Sequence, residues 1–234
     1  MNLNNAVALV TGGSSGIGRA VAESLTAAGA RVAITGRHTA RLAEAARAIG
    51  AHGVQADVSV EADVLRTYRE VMERFGDLDI LVNNAGFGVL KPLTDFTLDE
   101  FDRVFATNVR GPMLMAREAA RIFVARNRGN IVNIASTAGL RGAPNGTAYY
   151  GSKFALRGMT ECWRAELRTH NIRVFLVKPS EVMTCFAAAA GFAQKRHASK
   201  LHSEDIAHAV RAALEMDDRG FTTELTVFAT NPKD

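Results

Sequence analysis

The sequence predicts an α/β fold, a doubly wound parallel sheet of about seven strands with helices on both faces. Three observations carry that expectation. Short β-branched runs alternate with longer amphipathic segments through most of the 234 residues. The runs are apolar throughout rather than alternating, as in strands covered on both faces. The first run passes directly into a glycine-rich turn and then a helix. Strand following helix in this way requires right-handed crossovers and a parallel sheet.

Taken in order, strands are expected at residues 6–10, 31–35, 53–56, 80–83, 131–134, 173–177 and 225–228. Helices are expected between them at 17–28, 39–49, 62–75, 98–125, 147–169 and 203–215, the last opened by a Ser203 cap with Glu204 and Asp205 in its first turn. No repeat, linker or composition break divides the chain, so a single domain over 1–234 is expected. With 47% apolar and 22% charged residues it can bury a core without disulfides or metals. Cys162 and Cys185 stand in no metal-ligand or CxxC spacing, and the six histidines show none either, so no metal is implied. Met1-Asn2-Leu3-Asn4-Asn5 lacks the basic residues that open a secretory signal, and no run approaches the roughly 20 apolar residues of a membrane span. A reducing, cytoplasmic setting is expected. The densest basic cluster, Lys195, Arg196, His197 and Lys200, reads either as a solvated surface or as a docking patch for an acidic substrate or carrier protein. Nothing in the chain resembles a nucleic-acid-binding motif.

The first strand runs into Thr11-Gly12-Gly13-Ser14-Ser15-Gly16-Ile17-Gly18, and a helix follows. Glycine is needed where a chain turns tightly, where backbone approaches a pyrophosphate, and where a helix packs close to a strand. The helix N-terminus offers free N–H groups and a positive dipole end to phosphate. Glycine-rich turns join strands to helices in many folds, so position after the first strand is what gives this one weight. Gly12, Gly16 and Gly18 are spaced Gly-x-x-x-Gly-x-Gly, not the Gly-x-Gly-x-x-Gly of the commoner dinucleotide-binding turn.

With Thr11 ahead of it, this turn resembles that of the short-chain dehydrogenase/reductase family, and the later motifs agree in order. Asp57-Val58 after the third strand is similar to the family's adenine contact, and Asn83-Asn84-Ala85-Gly86 to its Asn-Asn-Ala-Gly signature. Asn108 lies within Thr107-Asn108-Val109-Arg110-Gly111 in the following helix. Ser136 follows the fifth strand, and Tyr149 with Lys153 forms Tyr-x-x-x-Lys thirteen residues later. Pro179-Ser180-Glu181-Val182-Met183-Thr184 resembles the Pro-Gly-x-Val-x-Thr that holds the nicotinamide end, through Pro179, Val182 and Thr184. The resemblance implies a Rossmann-type fold, a bound nicotinamide nucleotide and assembly into a homodimer or homotetramer through the helices at 98–125 and 147–169. Two residues depart from the pattern: Ser180 replaces the usual glycine, and Lys178 the common asparagine. Ser180 is expected to restrict the backbone, because a non-glycine resists positive φ.

Hydride transfer to a carbonyl requires a proton for the oxygen. Tyrosine, with a pKa of about 10, is a reluctant acid at neutral pH. Lys153, four residues beyond Tyr149, shares its helix face. Its charge, together with that of an oxidised nicotinamide ring, favours the phenolate and lowers the phenol's pKa. The resemblance further implies that Ser136 holds the carbonyl oxygen against Tyr149, that Lys153 bonds the nicotinamide ribose, and that Asn108 fixes a water linking Lys153 to solvent. Singly, such residues have ordinary places in packing, caps and turns. Their joint order after a dinucleotide turn argues for chemistry. Tyr150 stands three residues from Lys153 and is assigned to the cleft wall or to packing.

The second strand ends Thr35-Gly36-Arg37-His38, with glycine where enzymes using NAD place an acid for the ribose hydroxyls. Arg37 offers a planar fork of donors suited to a phosphate, and Ser14 and His38 stand ready to add to it. The expected cofactor is therefore NADP(H). The segment at about 184–201 is expected to border the substrate, as a small lid or as an ordinary surface helix, with Cys185 as wall rather than nucleophile. The expected activity is interconversion of a small-molecule carbonyl and a secondary alcohol: a 3-oxoacyl thioester, carrier-protein- or CoA-linked, or a small 3-hydroxy acid. The rivals are a nucleotide-sensing module and an interaction subunit on the same fold. Neither has a reason to keep Asn108, Ser136, Tyr149 and Lys153 together.

Overall fold

The computed structural model describes residues 1–184, 186 and 199–231. Its strands are β1 (Val7–Val10), β2 (Arg31–Gly36), β3 (His52–Gln55), β4 (Ile80–Asn83), β5 (Gly129–Ile134), β6 (Ile172–Pro179) and β7 (Glu224–Val227). They form one sheet in the order β3-β2-β1-β4-β5-β6-β7, with every pair parallel. Around it run α1 (Gly16–Ala27), α2 (Thr39–Ile49), α3 (Glu61–Phe75), α4 (Leu98–Phe105), α5 (Gly111–Arg126), α6 (Thr147–Leu167) and α7 (Ser203–Glu215). The strand order reverses between β1 and β4. In such sheets the crevice above the carboxyl ends at that point is where ligands bind.

The apolar runs of the sequence supply both faces of the sheet at once. In β1, Ala8 and Val10 join a core with α1, α2 and α7 through Val21, Leu42 and Val210. Val7 and Leu9 point the other way, into a core with α3 and α5 through Val64, Tyr68, Met115 and Phe123. A side-chain period of two does this automatically. The expectation of strands buried on both faces fails at the two edges. In β3 only Val54 is fully buried, and β7 is half-exposed along its length. Each edge strand has a neighbour on one side alone, and β7 ends before the exposed Phe228.

The expected helix over 98–125 is two helices joined by a π-turn, Ala106–Arg110, that carries Asn108. Pro112 explains the break. It has no N–H to offer the Asn108 carbonyl four residues back, and its ring crowds that carbonyl. Gly111 lets the restart pass close to β3's loop, since a Cβ there would lie 2.8 Å from Val58 Cγ2. The expected Ser203 cap is also displaced: His202 is the N-cap of α7, and its backbone N–H donates to the Asp205 carboxylate at 2.8 Å. The helix expected over 147–169 ends at Leu167, followed by a 3₁₀ turn, Arg168–His170. No helix among the described residues is long and apolar enough to cross a membrane.

Candidate active site

The glycine-rich turn is built on Thr11. Its hydroxyl accepts from the backbone N–H groups of Asn84 and Ala85, each at 3.0 Å, tying the end of β1 to the end of β4. The Asn84 amide donates back to the Thr11 carbonyl at 2.9 Å. Gly12 takes φ +65°, and a Cβ there would meet the Ala85 Cα at 3.0 Å. A Cβ at Gly18 would lie 2.6 Å from the Gly12 carbonyl, so only glycine lets α1 pack against the turn. Thr11 and Gly18 therefore shape the turn from behind and do not line the cleft, whereas Gly12, Ser14, Ser15, Gly16 and Ile17 do. No side chain caps α1 and no acid stands in its first turn, which leaves its leading N–H groups for an anion. The cleft above the turn encloses about 440 Å³ and runs along the carboxyl ends of the strands.

At one end the cleft is bordered by Ser14, Thr35, Gly36, Arg37, His38, Arg41, Asp57 and Val58. Arg37 is exposed and anchored only through its carbonyl, which accepts from Gln55 Nε2 at 3.3 Å. Neither Arg37 nor Arg41 has a carboxylate partner among the described residues. Arg41 went unnoticed in the sequence, although it falls four residues after Arg37 in the first turn of α2. The Thr35 hydroxyl is buried at this end without a hydrogen-bond partner. Asp57 is held by its own turn, one carboxylate oxygen accepting from the Ser59 N–H at 2.9 Å and hydroxyl at 2.7 Å.

The other end gathers Ala85, Gly86, Phe87, Ser136, Tyr149, Lys153, Pro179, Val182, Thr184 and Phe186. Ser136 leaves β5 in extended conformation, and its hydroxyl oxygen accepts from the Ala138 N–H at 3.1 Å. Tyr149 and Lys153 stand one turn apart on α6, and the ammonium donates to the Ile134 carbonyl at 3.0 Å. Lys153 is 6% exposed, and burial draws its pKa down to about 8. Burial likewise holds the Tyr149 phenol above its ordinary value, against a lowering hydrogen bond from Ser136. Desolvation outweighs that hydrogen bond at the phenol, with the Lys153 ammonium 5.8 Å from the ring centroid. Tyr150 packs on Gly146 and meets Tyr149 edge-on.

Asn108 lies behind the cleft, not in it. Its amide nitrogen donates to the Phe87 carbonyl at 2.8 Å and the Ser152 hydroxyl at 3.0 Å, and its oxygen accepts from the Phe87 N–H at 3.1 Å. Ser152 in turn donates to the Tyr149 carbonyl at 2.7 Å. Both amide hydrogens are thus committed to holding the loop after β4 against the first turn of α6. Asn108 positions; any water it holds is not held by those hydrogens.

Residues 179–184 cross the cleft beyond β6. Ser180 donates its N–H to the Val227 carbonyl at 2.9 Å and has no positive φ, so the serine imposes no backbone strain there. Lys178 is buried and pairs with Glu224 across β6 and β7, holding the Glu224 carboxyl below its usual range. Val182 bridges to Leu201, and the Met183 N–H donates to the Leu201 carbonyl at 2.8 Å. Lys200 fastens that bridge, its ammonium 3.0 Å from each Glu181 carboxylate oxygen while only 7% of the residue is exposed. It is therefore no part of a solvated basic patch. Lys195, Arg196, His197 and Cys185 lie outside the described residues. Thr184 reaches the turn, a Cβ at Gly16 falling 3.5 Å from its methyl group.

A larger hollow of about 720 Å³ opens at the opposite, amino ends of the strands. Arg173 there spends its guanidinium on Asn130, Leu214 and Met216, and the hollow holds no reactive pair. The smaller cleft is the candidate site.

Comparison with known proteins identifies the family. A family described as short chain dehydrogenase matches residues 6–195. Galactitol 2-dehydrogenase of Agrobacterium fabrum is 40% identical over 185 residues, 78% of this chain and 72% of that protein. A 3-ketoacyl-(acyl-carrier-protein) reductase from Brucella melitensis complexed with NADH superposes with a TM-score of 0.91 at 32% identity, covering 97% of this chain and 98% of the other. A metagenomic short-chain oxidoreductase in complex with NADP superposes with a TM-score of 0.86 at 33% identity, covering 99% and 100%. A match across most of the chain, on a seven-stranded parallel sheet with its cleft at the switch point, has one meaning: this is an oxidoreductase of the short-chain dehydrogenase/reductase family, with a Rossmann fold that binds nicotinamide nucleotides.

Proposed function

We propose that the chain moves a hydride between NADP(H) and a carbonyl or secondary-alcohol substrate, with Tyr149 as the acid/base. One observation carries this reading. Ser136, Tyr149 and Lys153 meet at one end of the same cleft that carries, at the other, two arginines with no carboxylate partner among the described residues, and Gly36 rather than an acid at the end of β2. The residues fit such a cofactor: the turn at Gly12 is a cradle that a Cβ would fill, α1 has uncapped N–H groups for a pyrophosphate, and the Thr35 hydroxyl is an unused polar atom near the ribose end. Arg37 and Arg41 would hold the ribose phosphate that distinguishes NADP(H). Asp57 and Val58 would border the adenine, and Asn84, Ala85, Gly86, Pro179, Val182 and Thr184 the nicotinamide half.

When bound, the nicotinamide supplies or accepts the hydride. The protein does the rest. The Ala138 N–H occupies one lone pair of the Ser136 oxygen, and the hydroxyl, which hydrogen-bonds the Tyr149 phenol here, would turn to donate to the substrate oxygen. Tyr149 gives the same oxygen its proton in reduction and takes it back in oxidation. Lys153, fixed by the Ile134 carbonyl, keeps two N–H groups for the ribose and a charge that steadies the phenolate. Asn108 and Ser152 set the direction of the helix that carries both. Tyr149→Phe keeps the ring and removes the proton, so the rate should fall by about 10² to 10⁴ in NADPH oxidation with a ketone. Tyr150→Phe should stay within about 3-fold of wild type, as its hydroxyl has no part in general acid catalysis. The opposite result, an active Tyr149→Phe and a dead Tyr150→Phe, would sink the assignment.

A further inference from the structure

The substrate is left open by that reading, and the walls of the reacting end narrow it. The Tyr149 ring is enclosed on two sides. Phe186 lies against it with ring centroids 5.1 Å apart, tilted by 49°. Gly88 approaches both rings, since a Cβ there would fall 3.0 Å from Phe186 Cζ and 3.1 Å from Tyr149 Cδ2. Phe87, beside it in the chain, also lines the cleft. Among the described lining residues of this end the one charged side chain is Lys153, already donating to the Ile134 carbonyl. The arginines stand at the far end, where a phosphate would take them.

Such walls discriminate. A substrate carboxylate placed beside the reacting carbonyl would lose its water against aromatic rings, and among the described lining residues only Lys153, already committed to the Ile134 carbonyl, carries a positive charge. Beyond the hydroxyls of Ser136, Ser180 and Thr184, a polyol would find few partners among the described residues at this end. An aryl or other flat apolar group loses nothing and gains the offset stacking that Phe186 presents. We infer that the substrate is a neutral ketone, or the matching secondary alcohol, with a flat apolar group next to the carbonyl carbon, and that Phe186 is the residue that selects it. In reduction the carbonyl carbon gains the hydride of NADPH, its oxygen gains the Tyr149 proton, and the nucleotide leaves as NADP⁺.

The inference rests on the carbonyl-reductase reading, and its test separates the two. NADPH oxidation is followed with acetophenone, butanone, acetoacetate and a ketohexose, using wild type, Phe186→Ala and Phe186→Leu. Wild type should prefer acetophenone over acetoacetate by at least about 10-fold in kcat/KM. The acetophenone-to-butanone ratio, in which any folding or cofactor defect cancels, should fall about 10-fold in Phe186→Ala and about 3-fold in Phe186→Leu. Faster turnover of acetoacetate or the ketohexose than of acetophenone would overturn the inference and leave the reading beneath it standing. An unchanged ratio in Phe186→Ala would remove Phe186 from the selection. No turnover of any of the four, with NADPH binding seen by its fluorescence, would overturn both.

Discussion

The two ends of the cleft differ in their physics. The end proposed to take the ribose phosphate carries exposed cations, Arg37 and Arg41, on a strand end and a helix turn. Attraction there is Coulombic and screened by salt. At the reacting end Lys153 is buried and Tyr149 half-buried, and desolvation pushes each toward its neutral form. The first end can be rewritten one side chain at a time. The second is tied to the core through the Ile134 carbonyl, the Asn108–Ser152 chain and the strap at 179–184, so changes there reach stability as well as chemistry.

The largest effect expected from this contrast belongs to Arg37. Removing a charge-assisted hydrogen bond worth about 1.5 to 3 kcal/mol lowers affinity by roughly 10- to 150-fold. Titrating Arg37→Ala with NADP⁺ and with 2′,5′-ADP, a fragment that reaches only the ribose end, should show the same loss for both, and little change for NAD⁺. Arg41→Ala should lose less, about 5-fold, because its guanidinium adds charge at longer reach. Gly36→Asp should move preference toward NAD(H): the new carboxylate repels the phosphate, and the tightest contact of its Cβ would be the Ser14 hydroxyl at 3.2 Å, an atom that can rotate away, with Leu42 Cδ1 and Ser14 Cβ at an ordinary 3.5 Å. Equal affinity of wild type for NAD⁺ and NADP⁺ would mean that neither arginine reads a phosphate.

What the sequence made legible follows the same division. Gly12, Tyr149 and Lys153 could be placed because glycine spacing and a four-residue helical interval have few structural meanings once set in order. The strands of the sheet centre were readable because continuous apolar runs have one use. Less readable was anything decided by contacts distant in sequence. The break at Asn108 needed Pro112 to be seen as a missing donor four residues on. Lys200 read as one more basic residue in a cluster, since nothing local announces Glu181 as its partner. Lys178 and Glu224 lie 46 positions apart and meet only because β6 and β7 pair. Phe186 carried no pattern at all; its ring contact with Tyr149 and the crowding at Gly88 emerge only from the fold.

A middle-sized effect tests the claim that the reacting end bears a cost of burial. Lys153 has a folded pKa of about 8 against an ordinary 10.5, a lowered value for a base. Below pH 8 it is charged in both states, and the folded state carries the full penalty of burying that charge. Between pH 8 and 10.5 the folded lysine loses its proton first and the penalty fades; above 10.5 it is gone. Lys153→Met removes the charge at every pH. At pH 7 it should therefore be more stable than wild type by roughly 1 to 3 kcal/mol, less whatever the unpaired Ile134 carbonyl takes back. The gap should close by about pH 10.5 in urea denaturation, while turnover is lost throughout. A variant less stable than wild type at pH 7, with a gap independent of pH, would show that the ammonium is fully compensated where it lies.

The smallest effect concerns the Lys200–Glu181 pair, which fastens the strap proposed to cover the nicotinamide half. Glu181 keeps nearly half of its side-chain surface in water, at 47% exposure, so it does not become a buried unpaired charge when Lys200 is replaced. Methionine fills much of the lysine's volume and keeps the apolar stem packed. What Lys200→Met loses is the fixed geometry of residues 181–183 against Leu201, and with it the position of Thr184 over the turn. Loosening a preorganised wall raises the ordering cost of binding by a modest amount, about 3- to 10-fold in affinity. The fragment makes the prediction specific: NADP⁺ affinity should fall by that factor while 2′,5′-ADP affinity stays at the wild-type value, the reverse of the equal losses expected for Arg37→Ala. Restoring the pair in reversed order, Lys200→Glu with Glu181→Lys, should recover part of the loss, although a carboxylate at position 200 must then occupy the buried site. If Lys200→Met weakens both ligands alike, the strap and the ribose end are one coupled unit, and the division between the two ends of the cleft does not hold.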